Sequence, residues 1–157
     1  PHIDRLAHEG TASIDLPRAW LEEGSFHFSF SGLKSAVINT LHNAAQRGIT
    51  IDPKDMAASF QQSVVEVLVE KTVRASEKYQ AKQVLLSGGV AANKGLRTAM
   101  EVAFKKKKGI DLVIPPLSLC TDNAAMIAAF ADVLYEKGIF GDYRMNAHPG
   151  LELTSYI

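Results

Sequence analysis

Apolar residues recur along this chain with two periods, and the switches between them mark out its elements. Ile3, Leu6 and Ala7 share a helical face ahead of Gly10, which predicts a short helix over residues 1–9 with Pro1 tolerated at its start. Leu33, Val37, Leu41 and Ala44 follow at helical spacing and stop at Gly48. Asp52 before Pro53, with Asp55 in the first turn, opens a long helix to about Ala81, whose stripe is Ala57, Phe60, Val64, Val67 and Leu68. Another helix starts near Lys94, carries Leu96, Ala99, Met100, Ala103 and Phe104 on its inner side, and is closed by Gly109. The last opens at Thr121-Asp122-Asn123 and is apolar nearly all round from Ala124 to Ala131, the pattern of a buried helix.

Strand signals are shorter. Phe26-His27-Phe28-Ser29-Phe30-Ser31-Gly32 alternates aromatic with polar side chains, as a strand with one buried face does. The runs at Val84-Leu85-Leu86 and Ile110 to Ile114 predict two neighbouring strands, the second ended by Pro115-Pro116, which cannot donate ladder hydrogen bonds. Residues 11–24 form a connecting segment anchored by Trp20 and Leu21, and residues 138–157 an irregular tail. Strands separated by helices define an α/β fold, helix-rich, with a short-stranded sheet under helical cover.

Composition narrows the partners rather than the fold. The 157 residues are 46% hydrophobic and 22% charged, enough for a substantial core, and the 17 basic and 17 acidic residues cancel. No overall field draws the chain to nucleic acid or to an anionic membrane, so any RNA contact is local. Lys105 to Lys108 suit a helix C-terminus and a solvated face better than a phosphate site. The single cysteine, Cys120, excludes an internal disulfide. With no apolar run of the ~20 residues a membrane helix needs and no signal peptide pattern, a cytoplasmic location is expected. The start at Pro1, without an initiator methionine, leads to the expectation of a piece of a longer protein.

Candidate chemistry gathers where strands end. Gly88-Gly89 after the Val84 strand admits positive φ and removes Cβ atoms that would hold a flat or phosphorylated ligand off the main chain, which makes the turn a candidate nucleotide seat or simply a strand-to-helix connection. Ligands of such sheets sit beyond the carboxyl ends of the strands, so Asn93 and Asp122, each after one strand, are expected at one edge. Asn93 suits a ribose or phosphate and Asp122 a metal or a proton; both also suit helix N-caps. Asp4, in a first helical turn, answers exposed N–H groups or serves as a ligand-binding acid. The five histidines show no i, i+4 pair for a metal, and neither a nucleophile motif, a Walker loop nor a GxGxxG fingerprint is present.

Three stretches, taken together, are more specific. Ser29-Phe30-Ser31-Gly32-Leu33-Lys34-Ser35-Ala36-Val37, Gly88-Gly89-Val90-Ala91-Ala92-Asn93 and Cys120-Thr121-Asp122-Asn123-Ala124-Ala125-Met126-Ile127-Ala128 resemble, in order and spacing, the TsaD family, historically called glycoprotease or O-sialoglycoprotein endopeptidase. Pro1-His2-Ile3-Asp4-Arg5-Leu6-Ala7 looks like the sequence following that family's Pro-Gly-Gly, so residues 1–157 are expected to be the C-terminal lobe of a two-lobed bacterial member. The resemblance implies an actin-like ATPase (ASKHA, RNase-H-like) lobe. It implies transfer of threonylcarbamoyl from threonylcarbamoyl-AMP to N6 of adenosine 37 of tRNA, with a TsaB-type paralogue and a TsaE-type ATPase as partners.

Residue by residue, the resemblance makes Asp122 a ligand of one divalent metal, iron or zinc, Asn93 a substrate-binding asparagine, Asp4 an acid on the adenylate ribose, and Gly88 and Gly89 the turn against which the adenine nucleotide lies. It assigns no catalytic residue here and no individual roles to Ser29 to Lys34. The family's HxxxH, with two further metal ligands, has no counterpart in this chain, which is therefore expected to fold but to be silent alone. Two other readings stand beside it: the older metallopeptidase label, for which no base and histidine pair is found, and a non-catalytic nucleotide-binding partner, which has no need of Asp122 and Asn93.

Overall fold

A computed structural model describes residues 2–20, 24–147 and 149–150. The chain divides into two compact units, Pro1–Thr121 and Asp122–Ile157. The first holds α1 (His2–Ala7), α2 (Ser31–Gln46), α3 (Pro53–Lys78), β1 (Gln83–Leu85), α4 (Lys94–Lys105) and β2 (Asp111–Val113), and the second holds α5 (Ala124–Glu136). The expected order of elements is present, with one strand missing. No helix among the described residues is long and apolar enough to cross a membrane.

α3 is the spine of the first unit. Asp52 caps it, its side chain accepting from the Lys54 N–H at 2.8 Å, and Pro53 occupies the first helical position, where no N–H is needed. One flank of α3 joins Leu16, Leu33 and Met56 in a core that takes in Phe30, Val37, Phe60 and Val64. The other flank gives Val65, Leu68, Val69 and Val73 to a second core around Leu96, Met100 and Phe104 of α4. Val67, at 0% exposure, lies on the same helix, and burying such a side chain contributes about 1.5–3 kcal/mol.

β1 and β2 pair in parallel, Val84 opposite Leu112, with both of these side chains in the second core. A parallel pair cannot be joined by a tight turn, and α4 is the crossover. Gly109, at φ +82, supports the return into β2. Of the lysine run, Lys107 bonds Glu77 at 2.5 Å, so this end of α4 is tied to α3 while Lys105, Lys106 and Lys108 are exposed.

Residues 26–30 do not form the expected strand; they run irregularly, and α2 already begins at Ser31. The aromatic pattern is satisfied by α3 instead of by a neighbouring strand. Lys71, 1% exposed, donates to the His27 carbonyl at 2.6 Å and lies 5.6 Å from the centre of the Phe28 ring, which stacks on Phe30. A backbone acceptor that a ladder would use is thus spent on a buried lysine, whose donors need a partner away from water.

Two further expectations are corrected. Leu16, 1% exposed, anchors the segment after Gly10, whereas Trp20 is 40% exposed and Leu21 lies outside the described residues. Arg18 fixes the same segment by donating from Nε to Glu66 at 2.6 Å and from Nη1 to the Leu16 carbonyl at 2.8 Å. α5 is not buried: Met126, Ile127, Phe130 and Val133 are all exposed, because its own unit contains no second helix or strand among the described residues to cover them. The end of the predicted tail, residues 151–157, and His148 also lie outside the described residues.

Two predictions follow from how α3 is dressed. Gly10 passes so close to the start of α3 that a Cβ would collide with the Lys54 carbonyl, while a Cβ on Gly32 meets nothing. Gly10→Ala is expected to lower stability by about 1–3 kcal/mol in urea denaturation, and Gly32→Ala to raise it by about 0.4–1 kcal/mol; equal effects would refute the close approach. Arg18 holds the Glu66 carboxyl below the usual carboxylate range by a direct hydrogen bond. The stability this supplies is present above that range and is lost as pH falls through it and through the lowered value, so Glu66→Gln should lose less stability on acidification than the wild type.

Candidate functional site

The site begins where β1 ends. The Leu86 N–H donates to the Val113 carbonyl at 3.0 Å, the last ladder bond before the two chains part. Gly88 turns the backbone at φ +83, a conformation that L side chains rarely adopt, and Gly89–Ala92 form one 3₁₀ turn closed by the Ala91 N–H on the Gly88 carbonyl at 3.0 Å. A Cβ at Gly88 or Gly89 would meet no atom within 4 Å, so the space over the turn is open to a ligand.

Asn93 is both a cap and a brace. Its Oδ1 accepts from the Leu96 N–H at 2.8 Å, starting α4, and its Nδ2 donates to Gln61 Oε1 of α3 at 2.7 Å. One Nδ2 hydrogen and one Oδ1 lone pair remain. Neither Gln61 nor Gly95 stands out in the sequence as a site residue. A Cβ at Gly95 would lie 2.5 Å from Gln61 Nε2 and 3.3 Å from Asn93 Oδ1, so any larger residue would push the Gln61 amide from its present position beside Asn93. One signal for Gly95 is legible: glycine in the first turn of a helix costs stability and marks a close approach.

Asp4 reaches the same place from the far end of the chain. Its Oδ2 accepts from the Lys94 N–H at 3.3 Å, so the carboxylate answers the N-terminus of α4 rather than that of its own helix. Its Oδ1 is buried and makes no hydrogen bond; the nearest cation-forming group is His8 Nε2 at 3.7 Å. Such an oxygen is costly to leave unpaired. Asp4, Gly89 and Asn93 line one cavity of about 1040 Å³ together with His8, Lys94 and Thr121, with Gly88 next to them in the turn. Glu9, also on its wall, is held below the usual carboxylate range by the hydrogen bond from Lys54, 2.9 Å away, and is ionised.

Asp122 is the first residue of the second unit. It is exposed and does not cap α5; Asn123 does, its Oδ1 accepting from the Met126 N–H at 2.9 Å. Of the two Asx residues that the sequence left open as N-caps, only Asn93 is one. Among the described residues no three His, Cys, Asp or Glu side chains group closely enough to hold a metal ion, so these residues do not by themselves fit one.

A parallel strand pair with α4 as its crossover makes the first unit an α/β lobe, helix-rich with a short-stranded sheet. The crystal structure of T. kodakarensis HypF shares this arrangement, at TM-score 0.53 and 20% identity over 87% of this chain and 16% of that one. A model of the TsaD family, tRNA N6-adenosine threonylcarbamoyltransferase, matches residues 1–129. The chain belongs to that family. Proteins of this name from Bacillus licheniformis and Geobacillus thermodenitrificans are 70% identical over 99% and 98% of the chain, and one from Bacillus subtilis is 67% identical over 99%. The chain spans 46%, 45% and 45% of these relatives, about half of their length.

The two roles of Asn93 separate experimentally. Asn93→Ala removes the cap and the Gln61 brace and should cost about 1–2 kcal/mol in urea denaturation, whereas Asn93→Asp keeps a capping oxygen and should stay within about 0.5 kcal/mol of the wild type. Equal losses would show that the cap is not what Asn93 contributes to stability.

Proposed function

We propose that this chain is the C-terminal lobe of a tRNA N6-adenosine threonylcarbamoyltransferase and carries the seat of the threonylcarbamoyl-adenylate. The observation that carries the reading is the buried, unbonded Oδ1 of Asp4 in a cavity shared with Asn93 and the open glycine turn. A ribose hydroxyl supplies the donor that Asp4 lacks, the glycine turn lets the flat nucleotide approach the main chain, and the spare N–H of Asn93 holds a ligand oxygen. Family membership supports the same assignment.

In the reaction, N6 of adenosine 37 attacks the carbamoyl carbon, the bond from that carbon to the phosphate oxygen of AMP breaks, and N6 gives up a proton. This chain's residues bind and orient the adenylate so that the attack is effectively unimolecular. Asp122 contributes one ligand to a divalent metal, iron or zinc, whose other ligands come from the rest of the protein. A TsaB-type paralogue and a TsaE-type ATPase complete the system, in the cytoplasm where tRNA is modified.

The test joins the chain to the rest of its reading frame and measures threonylcarbamoyl transfer to tRNA. Transfer is expected from the joined protein and none from residues 1–157 alone. Asp4→Asn should raise KM for the adenylate about tenfold, the loss of one charge-assisted hydrogen bond, and Asp122→Ala should cost about 100-fold in kcat, on the order of losing a metal-site group. Unchanged transfer in Asp4→Asn and Asp122→Ala would remove both residues from the site.

A further inference from the structure

We propose that Arg97 is a positioning residue that fixes the glycine turn against the segment leading to Asp122, an assignment that rests on the transferase reading above. Arg97 lies in α4 and is half-buried. Its Nε donates to the Ala91 carbonyl of the 3₁₀ turn at 2.6 Å. Its Nη2 donates to the Pro115 carbonyl at 2.6 Å and to Cys120 Sγ at 3.0 Å. Cys120 is 3% exposed and stands two residues before Asp122.

The reason for a guanidinium here lies in the strands. Beyond the Leu86–Val113 bond no further backbone bond among the described residues joins the two segments, and Pro115 and Pro116 have carbonyls but no N–H to donate. Arg97 supplies the missing donors to both at once. Its planar fork reaches three acceptors at fixed angles; a lysine ammonium is a single point on a flexible stem and cannot span them. Among the described residues Arg97 makes no ion pair, so all its recorded side-chain bonds go to these two loops. The core contacts of α4 come from Leu96, Met100 and Phe104, which leaves the helix docked without the arginine.

The experiment uses the full-length protein and compares wild type, Arg97→Lys and Arg97→Ala in three measurements: melting temperature, AMP affinity by calorimetry, and kcat and KM for threonylcarbamoyl transfer. Both variants are expected to melt within a few degrees of the wild type. Each should lose about tenfold or more in AMP affinity and in kcat/KM, as expected when charge-assisted bonds that place a ligand's seat are removed. Millimolar guanidinium should restore part of the loss in Arg97→Ala and none in Arg97→Lys, whose side chain fills the space. Values within twofold of the wild type, or a loss that guanidinium does not restore in Arg97→Ala, would overturn the proposal. If the wild type binds AMP but transfers no threonylcarbamoyl, the transferase reading fails while the AMP measurements still decide the role of Arg97. If it binds no AMP, there is no seat to hold and both fall.

Discussion

The structure of the first unit depends on α3 being buried along two flanks at once. A helix that packs on one side needs only an apolar stripe, but this one serves the Leu16 core and the α4 core together. The polar positions of the helix have to be satisfied inside as a result. Ser59 and Ser63 are buried and bond back to carbonyls one turn earlier, and Lys71 is buried against a carbonyl and a ring. Gln61, half-buried on the same helix, bonds Asn93 instead, so the candidate binding residue is braced by α3.

Much of this was legible in the sequence because it depends on local rules. The Asp52-Pro53 start, the Leu96, Met100 and Phe104 face, the positive-φ glycines and the pairing of the two short strands all follow from capping, periodicity and chain geometry. The failures depend on partners that a period cannot name. Residues 26–30 alternate like a strand but are held by Lys71 from a helix far along the chain. α5 has the composition of a core helix, yet its unit has no other helix or strand among the described residues to bury it. Asp4 was legible as an acid at a helix start, but the helix it serves begins ninety residues later, at Lys94.

The candidate site also shows how one residue carries two roles without conflict. A cap needs one oxygen lone pair and a brace one N–H; the amide of Asn93 has two of each, so structure uses half of the side chain and leaves half for a ligand. The alternatives posed by the sequence, cap or binding group, were therefore not exclusive for Asn93. For Asp122 the adjacent Asn123 takes the capping role and leaves the carboxylate out of it.

The parallel pairing of β1 and β2 makes the site depend on connections that reach far along the chain. The two strands are joined through α4, because no short loop links parallel strands. Contacts between residues distant in sequence are slow to form, and Asp4 on Lys94 is among the most distant here. The cavity wall where Asp4 meets Lys94 is tied across 90 residues of chain, whereas the Asn93 cap on Leu96 spans 3, so the cavity depends on the whole unit being folded while the start of α4 depends only on its neighbours.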